Sequence, residues 1–403
     1  MPLQGWNDPA ARLFDARGER AVHDHLFAAA NTAVAKMVSR PEAENAARVA
    51  MMQQAARVDL FGLKEGGRIE GKLHAPLRPA RPVLRPGAAY LLEIVVRTDG
   101  IGHALTQGTA DSNEVWLEVE ASLETRGATG LEPDVAPGLG AGTRTGSGAN
   151  TRGKPAASGK PGNDSAVRIS VQPVGQPAGQ PASPPDGGDG HPNARVIGRS
   201  GALADDGSVD EWAWFGNAYL LDRDGNRIER RNAQDIFVAL YDHQIPPGAA
   251  TVVHYRLEVP ADARGTLRLD AALRYRKFDT RFYRYLLGDA FQRNDLPITT
   301  LARDQLVLPI GSEREATTAS TEGARVPPPL PQTRPDDPVA AIPAWQRWND
   351  YGIGLLRQGK RGESRQAEAA FKQAEALGGA PGPLNLARVL HREGQLEEAA
   401  AAL

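Results

Sequence analysis

Between residues 115 and 123 the chain alternates without interruption. Val115, Leu117, Val119, Ala121 and Leu123 are apolar, while Glu114, Trp116, Glu118, Glu120 and Ser122 fall on the opposite side. A period of two with one apolar face predicts a half-buried antiparallel strand. The same rhythm returns at 90–98 through Tyr90, Leu92, Ile94 and Val96, and at 251–259 through Val253, Tyr255, Leu257 and Val259. At 267–276 it sets Leu267, Leu269, Ala271, Leu273 and Tyr275 against Arg268, Asp270, Arg274 and Arg276. A shorter strand is expected within 69–75, followed by a proline-rich extended stretch over 76–86. Strands separated by turn signals, with no strand–helix alternation, predict a mainly β fold of antiparallel immunoglobulin-like β-sandwich type.

Helical spacing appears only at the two ends. Near the start, Ser39 is a candidate N-cap with Pro41 in the first turn, and Ala46, Val49, Met52 and Ala56 form one apolar stripe. A shorter helix is expected over 17–38, so residues 1–58 read as a helical segment. At the other end, Gly362-Glu-Ser-Arg-Gln-Ala367 matches Gly394-Gln-Leu-Glu-Glu-Ala399, an offset close to the tetratricopeptide period. Trp348, Tyr351, Gly352, Leu355, Ala367, Phe371 and Ala374 occupy the packing positions of that motif. Ala387, Leu390 and Ala399 begin a second copy, giving about one and a half truncated repeats over 342–403. Residues 126–193 are Gly, Pro, Ser, Thr and Ala with almost no large apolar side chain, and are expected to be a disordered insertion at a hairpin tip. The strand 115–123 would enter it and 195–200 would return. The β domain therefore spans 59–310, and 311–341 reads as a Pro-rich linker.

Composition narrows the chemistry. A formal charge of -2 over 403 residues is unlike a nucleic-acid binder. No segment has the apolar length of a membrane span, and residues 1–15 carry no signal peptide. Zero cysteines leave no disulfide, no thiolate metal site and no C-x-x-C-H haem attachment. Asp222–Asn226 fails the calcium-loop pattern and reads as a tight Asp-Gly hairpin turn. Gly102-His103 with Asp111, Asn113 and Glu114 is a polar cluster: either a metal or haem-iron site at His103, or a loop that satisfies its own backbone. Arg274, Arg276, Lys277 and Arg281 with Tyr275, Phe278, Phe282 and Tyr283 form a basic–aromatic patch. It reads as an anion site or, more simply, as a strand edge with snorkelling arginines. There is no G-x-S-x-G elbow, P-loop, H-E-x-x-H or cysteine nucleophile. The chain therefore leans away from being an enzyme.

The blocks GHALTQGTADSNEVWLEVE, GRSG, DGSVDEWAWF, LLDRDGNRIERRNAQDIF, YDHQIPPGAATVVHYRLEVP and LRYRKFD resemble the non-haem C-terminal region of bacterial multihaem c-type cytochromes that carry tetratricopeptide repeats. The resemblance covers 59–123, 195–310 and the C-terminal helices. Met1-Pro2-Leu3 is similar to the family's junction C-x-x-C-H-M-P, which implies a start just after a haem site. His103 matches the histidine of a Gly-His-x-Phe-Pro motif, although Leu105 and Thr106 replace Phe-Pro. The resemblance implies that His103, with His23 and His25, is a haem-iron ligand or lines the haem domain. It also implies haem c upstream of this chain rather than on it, a haem-bearing or other redox partner, and a periplasmic or other extracytoplasmic setting. Three functions follow in order of expectation: an accessory docking part of an electron-transfer protein, with the repeats contacting a protein partner; a free-standing protein- or glycan-binding module; and, more distantly, an enzyme with metal at His103.

Overall fold

The computed structural model describes residues 3–4, 12–14, 18–23, 29–106, 112–124, 172–173, 194–311, 339–359 and 361–403. At the N-terminus, strands β1 (Leu3–Gln4) and β2 (Leu13–Phe14) flank β3 (Arg20–His23), and are followed by short helices α1 (Val34–Met37) and α2 (Ala46–Met52). The helix expected over 17–38 is thus replaced, in its described part, by a strand and one late turn of helix. Gly18 lies at φ +80°, outside helical space, and Arg20–His23 then pairs on both sides. Ser39 does not cap. It sits at φ +55°, whereas an N-cap needs extended backbone, and the helical turns begin only after Pro41. Ala56 belongs to the next strand and not to the helical stripe.

Antiparallel strands build the body. They are β4 (Ala56–Glu65), β5 (Leu73–His74), β6 (Ala89–Thr98), β7 (Glu114–Glu124), β8 (Gln172–Pro173), β9 (Ala194–Ser200), β10 (Trp214–Phe215), β11 (Ala218–Leu221), β12 (Val238–Asp242), β13 (Ala250–Glu258), β14 (Gly265–Arg276) and β15 (Ile298–Ile310). One sheet runs β5-β4-β6-β13-β8, and the other runs β10-β7-β14-β15 with β9 also beside β7. β11 and β12 form a separate hairpin. The apolar faces read from the alternation meet in one core: Tyr90, Leu92, Ile94, Val253 and Tyr255 from the first sheet, Val115, Leu117, Val119, Leu267, Leu269 and Leu273 from the second, joined by Val58 and Leu60 of β4, a strand the reading of 1–58 as helical did not foresee. β9 returns antiparallel to β7, with Leu123 opposite Arg195. The expected disorder of 126–193 falls outside the described residues except for β8, as does that of 312–338. Strand β15 and helix α3 (Thr280–Leu287), N-capped by Asp279, have no counterpart in the alternation as read above.

The C-terminal residues form α4 (Ala344–Gln358), α5 (Arg361–Ala376), α6 (Gly382–Arg392) and α7 (Leu396–Ala401). Gly352 lets α4 and α5 close up, since a Cβ there would stand 2.6 Å from the Phe371 ring. Gly354 lets α4 lie on β13, since a Cβ would stand 2.7 Å from Val252 Cγ2 and 2.9 Å from the Thr251 carbonyl carbon. Helix α4 therefore covers the outer face of the first sheet.

Candidate functional site: the charged seam between sheet and helices

The outer positions of β4, β6 and β13 are Asp59, Phe61 and Lys64, then Glu93, Val95 and Arg97, then Val252 and His254. By alternation they belong to solvent. Instead Phe61, Val95 and Val252 share a second core with Tyr351, Leu355, Ala367, Ala370 and Phe371. Phe61 stacks on Tyr351 at 4.5 Å between ring centroids and meets Trp348 edge-on at 5.1 Å.

The polar groups left in this seam are matched across it. Arg57 and Arg97 are direct cross-strand neighbours, an arrangement that repels on a bare sheet. Asp350 of α4 resolves it, accepting from Arg97 Nη1 at 2.7 Å on one oxygen and from Arg57 on the other. One turn earlier Arg347 clasps Asp59 through two 2.7 Å bonds and donates to the Arg78 carbonyl. Arg78 binds Asp304 of β15 at 2.5 Å, and Asp304 also accepts from the Leu60 amide. Burial outweighs Arg78 and pushes the Asp304 carboxyl up to about 7. Further along, Glu93 accepts from Tyr351 and faces Lys64 Nζ at 2.5 Å and His254 Nδ1 at 3.2 Å. His254 Nε2 lies 3.5 Å from Glu363 of α5. Gln366 joins by accepting from Lys64 and donating to the Ile69 carbonyl.

The repeat-motif residues are mostly spent here or inside the helical pair. Tyr351, Gly352, Leu355, Ala367, Phe371, Ala374, Ala387, Leu390 and Ala399 are buried and Trp348 is half-buried. The inward face of α4 is thereby occupied by the chain's own sheet.

The histidines singled out from sequence are not brought together. His103 is exposed on a turn, its Nδ1 3.0 Å from the Ala104 carbonyl. His23 ends β3 opposite Leu3, and His25 lies outside the described residues, as does Asp111. Glu114 points away from any such site and is buried against Arg276, whose Nη2 and Nε reach it at 2.6 and 2.9 Å. Burial leads there too, raising Glu114 to about 7 despite Arg276. Among the described residues no group of three or more His, Cys, Asp or Glu is placed to hold a metal ion. The basic–aromatic patch is likewise committed internally: Arg274 to Glu118, Arg276 to Glu114, Arg281 to Glu229, and the Tyr275 hydroxyl to the Ala30 carbonyl.

A second feature lies at one end of the sheets. Asn217 donates to Thr106 Oγ1 at 3.3 Å and to Asn113 Oδ1 at 2.9 Å, and accepts from the Val115 amide. Gln244 reaches the Thr106 carbonyl at 2.5 Å, and Arg227 reaches Asp279 at 2.9 Å. The hairpin β11–β12 projects beside this corner, and β11 runs straight into a tight turn at Asp222–Asn226 that brings Arg227 back opposite Leu221, where Asp222 accepts from the Asp224 and Asn226 amides. Phe237 and Leu240 are 58% and 63% exposed, and Tyr285 on the adjacent α3 is 57% exposed. Arg223 lies over the Phe237 ring and Arg230 over Tyr285.

No described helix is long and apolar enough to cross a membrane. No protein-family model matches this chain, and no curated protein matches it. Among solved structures, a penta-heme cytochrome c552 from Thermochromatium tepidum aligns with a TM-score of 0.31 and 11% identity, over 64% of this chain and 41% of that one. The chain thus spans less than half the length of that cytochrome, and a likeness of this size carries no argument about fold or function.

Proposed function

We propose that the chain is the accessory, non-haem docking part of a periplasmic multihaem cytochrome-type electron-transfer protein. In this reading its body is a β-sandwich and its tetratricopeptide-type helices serve protein–protein contact. The observation that carries it is the convergence of the sequence blocks that resemble the cytochrome family. Thr106, Asn113, Gln244 and Asp279 come from blocks far apart in the chain, yet with Asn217 they tie one corner together. Phe237 and Leu240 beside that corner and Tyr285 and Leu286 on α3 are exposed, with Arg223 over Phe237 and Arg230 over Tyr285, and exposed apolar side chains framed by cations mark an interaction face. A haem-bearing domain is the partner proposed for it. Haem c would be held by that partner, because this chain has no cysteine for covalent attachment and His103 sits on a turn without a described ligand partner set.

Two readings of one experiment test this. The DNA upstream should continue the same frame through several C-x-x-C-H motifs, or a neighbouring gene should encode them. The purified chain should then bind that haem-bearing product, and Phe237→Ser with Leu240→Ser should abolish binding. Absence of any C-x-x-C-H partner, or binding indifferent to both substitutions, overturns the proposal. A free-standing glycan-binding module is the second reading, favoured by a ladder of rings running from β10 onto the hairpin: Trp214, His243, Tyr241 and Tyr219 follow one another at 6.0, 4.6 and 5.3 Å. Glycan capture lost in Tyr241→Ala, with no haem partner bound, would decide for it.

A further inference from the structure

Strand β12 (Val238–Asp242) pairs with β11 on one side, and among the described residues its other edge has no strand beside it. Val238, Ala239 and Leu240 are exposed in succession. Successive side chains take opposite faces, so both faces are open as well as the edge. Natural sheets blunt such an edge with lysine, proline or an inward charge. Residues 236–241 read Ile-Phe-Val-Ala-Leu-Tyr and carry none of these. An uncharged, proline-free run of high β-propensity is the composition of a segment that pairs with its own copies.

We propose that β12 binds β12 of a second copy of this chain, antiparallel about a two-fold axis at Ala239. A strand set against its own copy in this way is isologous, so every cross-strand pair occurs twice except the one on the axis. In this register Ala239 meets Ala239 of the second copy, Val238 meets Leu240 and Phe237 meets Tyr241. These are aliphatic and aromatic cross-strand pairs, which favour the sheet. Charge selects the register too. Asp242 falls opposite Ile236, far from Asp242 of the second copy, whereas an axis at Tyr241 would set the two aspartates on one diagonal.

The pairing closes on itself. The far side of β11 is taken by the turn that follows it: Leu221 bridges Arg227, and the Ile228 amide donates to the Leu220 carbonyl at 2.8 Å. Each copy therefore offers one open edge at this hairpin, and two copies consume both. The resulting sheet, β11-β12-β12-β11, stops at a dimer and does not propagate into a fibre. Edge pairing goes beyond the docking reading and needs no haem-bearing partner, because the strand faces carrying Phe237 and Leu240 stay open.

Sedimentation equilibrium of the full chain should give a mass rising from 43.1 kDa toward twice that as concentration reaches about 100 μM. Leu240→Lys, at an exposed position, should hold the mass at one chain with an unchanged melting curve. The register has its own test, because the chain has no cysteine. Directly opposed Cβ atoms lie about 4.5–5.5 Å apart, within reach of a disulfide. Oxidised Ala239→Cys should therefore run as a covalent dimer. Val238→Cys and Leu240→Cys face their own counterparts on a diagonal of about 7–8 Å and should not. A single-chain mass throughout overturns the proposal, as does covalent dimer formed equally at all three positions. A chain that stays single, yet loses the haem-bearing product on Leu240→Lys, gives the edge to that product: the second copy is then overturned and the docking reading kept.

Discussion

Asp350 is the residue on which the most depends. It is the shared acceptor for two arginines placed opposite one another on the sheet. Removing it leaves two like charges in a covered seam, so Asp350→Ala should destabilise by about 3–5 kcal/mol, the range for breaking a buried pair. Urea midpoints compared with Arg97→Ala and the double variant would measure the coupling. Gly352→Ala should cost about 1–3 kcal/mol because the added methyl meets the Phe371 ring, and Phe371→Leu should recover part of it. Glu114 makes a pH prediction. Its folded pKa of about 7 exceeds the ordinary 4.5, so the native state holds the proton more tightly and stability falls as pH rises between those values. Glu114→Gln should flatten that slope between pH 5 and 7 in chemical denaturation, even though it also loosens Arg276.

At the scale of elements, alternation located β6, β7, β13 and β14 and named their core faces. It could not say that the opposite faces were covered. Glu93, His254 and Asp59 read as solvated positions because a period of two says which side a residue takes and nothing about what lies on that side. A faint signal was present: Phe61, Val95 and Val252 are large apolar residues at outward positions of three adjacent strands, which a half-exposed sheet would not carry. Likewise Trp116, on the polar side of β7, is buried because the segment after β9 wraps over it and accepts its indole N–H at Gly201. The N-terminal strands were hidden for another reason: they are two to four residues long, too short for any period to register. The repeat motif identified packing residues inside α4 and α5. It gave no hint that one face of α4 is closed by a sheet. The β7–β9 pairing makes its own prediction. With Leu123 set opposite Arg195, replacing residues 126–193 by a short Gly-Ser turn should leave the β7–β9 pairing and the core intact, at the loss of the two-residue strand β8 from the edge of the first sheet. Stability should stay level or rise by about 1–2 kcal/mol as loop-closure entropy falls, with circular dichroism and thermal melting as the check.

At the scale of the molecule, the C-terminal helices are packed onto the first sheet. The seam joins β4, β6, β13 and β15 to α4 and α5 through buried ion pairs and a shared apolar cluster. Unfolding followed by Trp fluorescence and by far-ultraviolet dichroism should therefore give one coincident transition. A chain ending before α4 should expose Phe61, Val95 and Val252 beside Arg57 and Arg97 without their shared Asp350, and should aggregate where the full chain stays monodisperse. The hairpin β11–β12 stands apart from this unit. Phe237→Ser and Leu240→Ser should move the melting temperature little, within about 0.5 kcal/mol, while removing the proposed docking. Size-exclusion chromatography and melting curves separate those two effects.

The single carboxylate bridging facing arginines also acts as a gauge of assembly. A one-residue slip between β4 and β6 would turn one guanidinium inward and leave the other pointing out, so Asp350 could no longer reach both. Helix α4 can seat only on correctly aligned strands, and a misassembled sheet would keep its helices dangling, open to proteases until it is either repaired or destroyed.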